Sequence, residues 1–126
     1  MPSISQRALA ASETPRDPHD RDRLREEWRL AAVDHAQKKD LAGRLDEGRK
    51  ILLSVMITEL VDRGMPVGRA ENEARASARF QDHCQDMHAA KLAADMAWIA
   101  AENADRIYWA HVSQEATHRA EARLAR

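Results

Sequence analysis

A single cysteine, Cys84, is present, which excludes an internal disulfide and fits a reducing cytoplasm rather than a disulfide-built secreted scaffold. Aromatic residues make up 4% of the chain and charged residues 33%, so little material exists for a large compact core. Glycine and proline number four each, too few for the turn density of an all-β fold. Charge of one sign is also lacking. With 20 basic and 21 acidic residues the net charge is -1, and no global field gathers nucleic acid or an anionic membrane. The most apolar stretch, Ile51 to Val61, is far shorter than the ~20 residues that cross a bilayer. The opening MPSISQRALAAS carries a charge and lacks the apolar run of a secretory signal. The expectation is a soluble cytoplasmic protein that does not enter membranes.

What is abundant is Ala, Arg, Glu, Asp, Leu and Lys, the composition of long helices and coiled coils. The predicted fold class is all-α: one long antiparallel helical hairpin, coiled-coil-like, that oligomerises into a bundle. Prolines 2, 15 and 18 make residues 1–19 an arm or linker, in which Ser3 could cap a short helix with Ile4, Ala8 and Leu9 on one face. Residues 20–126 form the hairpin domain, with the turn near 64–68.

In the first helix, Leu24, Trp28, Ala31, His35, Ala42, Leu45, Leu52 and Met56 recur at steps of three and four, the spacing of an amphipathic face. Gly43 and Gly48 each cost about 1 kcal/mol in a helix interior, so a kink between them is expected. Gly64 stands where a left-handed C-cap residue belongs, followed at once by Met65 and Pro66. Beyond Gly68 neither glycine nor proline occurs. A second helix from Arg69 to Leu124 would be roughly 85 Å long.

An advance of about 100° per residue divides that helix into two apolar stripes. One holds Phe80, Cys84, Met87, Ala94, Trp98, Trp109 and Val112; the other holds Leu92, Met96, Ile99, Asn103, Ile107 and Ala110. Two stripes require two partners. The first is the preceding helix, and antiparallel pairing places opposite each other residues whose numbers total about 133. Trp98 and Trp109 then turn inward toward Trp28 as core, and Tyr108, about 100° from Trp109, lies at the margin with its hydroxyl wet. The second partner is another chain. Candidate oligomer and docking residues are Trp28, Ile51, Leu53, Ile57, Leu60, Trp98, Ile99, Ile107, Tyr108 and Trp109, because one facing helix cannot cover so much apolar surface.

Signals of chemistry are sparse. The stretch HCQDMH brings His83, Cys84, Met87 and His88 within reach of one helix face, but a structural zinc site needs four ligands and no second cysteine exists. Glu115 and His118 have the Glu-x-x-His spacing of carboxylate-bridged di-iron bundles, without an apolar setting or an evident further carboxylate. Phosphate loops, zinc-finger spacings and serine nucleophile motifs are missing. A non-enzymatic protein without catalytic residues, cofactor or metal is expected. Arg44, Arg49 and Lys50, and Arg119, Arg123 and Arg126, could touch phosphates, but Asp46, Glu47 and Glu121 are interleaved, so any nucleic-acid binding should be weak and salt-sensitive.

The charged first helix, the turn RGMPVGRAENEARA at 63–76 and the long Ala-rich helix ending in YWAHVSQEATHRAEARL at 108–124 together resemble the small coiled-coil proteins encoded in early regions of tailed bacteriophages. The resemblance covers roughly residues 24–124 and implies an accessory role in phage DNA recombination or replication, exercised through an unidentified protein partner. It carries no functional residues. The alternatives are a phage-borne inhibitor of a host defence nuclease, of the anti-CRISPR kind, and a metal-binding helical bundle.

Overall fold

A computed structural model describes residues 19–125, and the arm predicted for 1–19 lies, apart from its last residue, outside them. The described residues are all-helical, without a strand: α1 (Asp20–Asp62), α2 (Val67–Ala76) and α3 (Ala78–Leu124).

Helix α1 is laced along its surface by ion pairs one turn apart, among them Lys38 with Asp34 at 2.9 Å and Arg44 with Asp40 at 2.9 Å. Each such pair supports a helix by about 0.2–0.5 kcal/mol. The hydrogen bonds from Arg29 also hold the Glu26 carboxyl below the usual range. The kink expected at Gly43 and Gly48 does not occur; α1 runs unbroken through both. Burial of Ala42 and the packing of Gly48 beneath His83 fasten this stretch to α3 from both sides of the weak point.

The helix ends as its sequence dictates. Gly64 has φ +96°, and amides beyond the last turn return to it, Gly64 N–H to the Val61 carbonyl at 2.9 Å and Met65 N–H to that of Leu60 at 3.1 Å. These two bonds satisfy carbonyls that the helix leaves open, in the Schellman arrangement.

The continuous second helix expected from Arg69 is instead divided. Ser77 is extended, with ψ 147°; its Oγ accepts a hydrogen bond from Phe80 N–H at 3.2 Å and donates to the Ala74 carbonyl at 2.7 Å. The serine thus closes α2 and caps α3. The break folds α2 back so that Ala70 and Ala74 are fully buried, the latter against Met56 and Phe80. Leu52, Leu53, Ile57, Leu60 and Cys84 pack around this cluster.

Helices α1 and α3 run antiparallel: Glu59 pairs with Arg79 near the turn, His83 meets Leu45, Trp28 stacks on Tyr108, and Arg21 pairs with Glu115 at the far end. The covered positions repeat every seven residues. On α3 the rows are Phe80, Met87, Ala94, Ala101, Tyr108, Glu115 and His83, Ala90, Ala97, Ala104, His111. On α1 they are Leu24, Ala31, Lys38, Leu45, Leu52 and Trp28, His35, Ala42, Arg49, Met56. A repeat of 3.5 residues keeps two helices in contact over many turns, whereas a stripe drawn at 3.6 drifts by about 20° per heptad.

That drift is why the aromatic assignment fails. Four heptads from Phe80 lead to Tyr108, which is 5% exposed, while Trp98 and Trp109 are each 52% exposed. The inward place beside Trp98 belongs to Ala97, and the run of alanines lets α1 approach more closely than a tryptophan would allow.

Candidate interaction surfaces

The far end of the helix pair carries the densest set of polar and aromatic contacts. Trp28 stacks on Tyr108 with ring centroids 5.4 Å apart, and Trp109 meets Tyr108 edge-on at 5.2 Å. His111 Nε2 lies 3.0 Å from Glu115 Oε1, and Arg21 lies 3.9 Å from the other oxygen of that carboxylate. The neighbouring Tyr108 hydroxyl, and with it the Glu115 carboxylate, favours the charged guanidinium of Arg21 and raises its pKa above the ordinary arginine value. Tyr108 is therefore an internal anchor, with its ring between two tryptophans and its oxygen beside a guanidinium, and it cannot form the wet margin expected of it.

The metal-ligand candidates are already engaged or set apart. His83 Nε2 donates to the Leu45 carbonyl at 2.8 Å, since a carbonyl can only accept. Cys84 is half-buried against the Met56 cluster, Met87 is buried and His88 exposed. Glu115 faces His111 and Arg21, while His118 lies 3.9 Å from Glu121. Among the described residues, no group of three or more His, Cys, Asp or Glu side chains is arranged to hold a metal ion. Likewise, no helix of the described residues is long and apolar enough to cross a membrane.

The candidate phosphate-contacting residues of α1 each carry an acid. Arg44 pairs with Asp40 at 2.9 Å, Arg49 with Asp46 at 3.5 Å and Lys50 with Glu47 at 3.6 Å. Lys91 on α3 also reaches Asp46 at 3.6 Å. Arg119 and Arg123 are exposed, and Arg126 lies outside the described residues.

The proposed apolar contact residues divide into two groups. Leu53, Ile57 and Leu60 are half-buried in the packing around Met56, which the fold-back of α2 supplies from within the chain. Trp28 is half-buried against Tyr108. Ile51, Trp98, Ile99, Ile107 and Trp109 stay exposed, together with Leu30, Leu41, Val55, Leu92 and Met96. On α3, Leu92 and Ile99 are seven apart, and Met96 and Asn103 likewise, so the outer face repeats the period of the inner one. A depression there is lined by Met96, Trp98, Ile99, Ala100 and Asn103 together with the charged Glu102 and Arg106.

Several features escaped the sequence reading. Ala97 and Ala101 as inward positions were legible only from a strict seven-residue count. Arg49, whose buried Nε has no partner, sits on an inward row between Ala42 and Met56. Set beside known proteins, the chain matches no family model, no curated protein and no solved structure.

Proposed function

We propose that this chain is a non-enzymatic interaction protein, an antiparallel helical hairpin with a coiled-coil-like inner seam that self-associates and docks on another protein. One observation carries the reading: large apolar side chains stand outside along both long helices, Leu30, Leu41, Ile51 and Val55 on α1 and Leu92, Met96, Ile99 and Ile107 on α3. Two helices form too thin a layer to enclose a core, and no large side chain is completely buried among the described residues. Scattered exposed leucines need no explanation, but a patch continuous along a helix face marks an interaction site. Each such side chain is already part-covered within the chain, so full burial stands to gain roughly half of the 1.5–3 kcal/mol of a wholly exposed one, about 1 kcal/mol.

The setting implied by the resemblance is accessory work in phage DNA recombination or replication, exercised through protein contacts rather than chemistry. Affinity capture from the native host with the parent chain and with the double variant Ile51→Glu, Ile99→Glu tests the reading. A partner held by the parent and lost with the variant is expected. A partner held equally by both contradicts it.

A further inference from the structure

Helix α2 covers one side of the hairpin, and at one end only. Leu53, Leu60 and Cys84 stand on that side, in the packing around Met56 and Ala74. In steps of seven the side continues through Lys39, Ala32 and Arg25 on α1 and through Trp98 and Asp105 on α3, and the 3.6 Å pair of Asp46 with Lys91, which belong to the same two rows, joins them. The described residues supply no further element to cover it. Trp98 and, one row further out, Trp109 are each 52% exposed, and between them lie the half-buried carboxylates of Glu102 and Asp105. Neither acid has an ion pair among the described residues, with Arg106 or with any other cation.

The chain enters α1 at this uncovered end, and residues 1–18 lie ahead of His19, outside the described residues. We propose that the occupant of the strip from Trp98 to Trp109 is the chain's own SISQRALAAS, residues 3–12, packed there as a short helix. The lengths agree: the strip spans about 16 Å, and ten helical residues span about 15 Å. Pro15 and Pro18 keep this segment from continuing into α1, and residues 13–18 reach up to about 20 Å, enough to turn back beside it. Returning from the start of α1, the segment must run parallel to α3. In that direction a right-handed helix with Ile4 and Ala8 turned onto the groove directs Arg7 toward α3 and Leu9 toward α1. Centred on the strip, with Trp28 facing Tyr108 and Arg21 facing Glu115 as the scale, Arg7 falls level with Glu102 and Asp105. Leu9 falls level with Ala32, beside the depression that Ala32 lines with Trp28, Arg25 and Arg29. One guanidinium thus meets two unpaired carboxylates. Lys39 and Arg25 lie about 9 and 12 Å from Arg7 along the axis, and Arg106 stands on the far side of Glu102. The rows of Ile51 and Ile99 lie off this side, so the proposed self-association neither requires the arm nor fails with it.

Paramagnetic broadening of the tryptophan indole N–H signals decides it. In a full-length Cys84→Ala chain, a nitroxide is attached at Gln6→Cys, which faces away from the groove, and helix content is checked by circular dichroism. The indole signals of Trp98 and Trp109 should broaden when label and nitrogen-15 are in one chain. They should stay sharp when labelled and isotope-enriched chains are mixed. Ile4→Glu with Leu9→Glu should abolish the broadening. Arg7→Glu should lower the docking equilibrium about 5-fold, and adding Glu102→Arg should restore it. Sharp Trp98 and Trp109 signals in the singly labelled chain overturn the arm as occupant, and broadening seen in the mixture overturns its belonging to the same chain. An Arg7→Glu chain that docks as the parent does overturns the assigned register.

Discussion

Trp28 of α1 and Tyr108 of α3 stack with 25° between their ring planes, and this pair locks the far end of two helices whose intervening seam is largely alanine on the α3 side. Close helix approach gains little burial per alanine, so the aromatic contact carries a disproportionate share of the stability. Tyr108→Ala is expected to cost about 3–5 kcal/mol, as large aromatic deletions from packed sites do. Trp98→Ala, at a half-exposed position, should cost less than about 1 kcal/mol. Urea denaturation of the two variants checks the order, and a larger loss at Trp98 would refute it.

At the break in the second half of the chain, Ser77 makes one hydrogen bond to each side. Ser77→Ala should lose about 0.5–2 kcal/mol, whereas Ser77→Gly should lose only a few tenths. Equal stability of the alanine variant and the parent would mean that the break is imposed by the packing of Ala70 and Ala74 and not by the cap.

The two glycines of α1 should respond differently to the same substitution. Gly43 has open space around its missing side chain, so Gly43→Ala should gain about 0.5–1 kcal/mol from helix propensity. A methyl at Gly48 would lie 3.3 Å from His83 Cε1, and that ring is held by its 2.8 Å bond to Leu45. Gly48→Ala should therefore fall short of Gly43→Ala by at least about 0.5 kcal/mol, as crowding offsets propensity. Equal gains in thermal melts would show that the ring yields freely.

The fit of these sites to the sequence is uneven for physical reasons. Gly64 was legible as a C-cap because a helix ended that way favours a residue tolerant of positive φ, and Pro66 two residues on fixed the turn. The antiparallel pairing was expected from a short turn, but that turn joins α1 to α2, and α3 begins only after the break at Ser77. Ser77 was not legible as a break, because serine also occurs inside helices and no glycine or proline accompanies it. Tyr108 was displaced from the core by a small error in period, which accumulates over four heptads until the wrong aromatic side chain points inward. The exposure of Ile99 and Ile107 was expected correctly because both lie far from the first stripe under either period. That α2 would cover Leu53, Ile57 and Leu60 could not be read before the break at Ser77 was known.

Nucleic-acid binding should be weak. The basic residues of α1 nearest to a cluster are each paired with an acid, so few counterions would be released on contact with a duplex. Titration with duplex DNA should give no tight sequence-specific complex, and any residual affinity should fall steeply between low and physiological salt. Salt-resistant nanomolar affinity for a defined sequence would contradict the charge argument.

The central claim is that the apolar side chains left outside the helix pair are there to be covered by another helix, in the first instance that of a second copy. Sedimentation equilibrium at micromolar concentration tests it most directly, with the parent and Ile99→Lys run side by side. The account predicts a parent mass of at least twice 14.2 kDa and a shift toward the single-chain value in the variant. A parent that sediments at 14.2 kDa throughout, indistinguishable from Ile99→Lys, would contradict it.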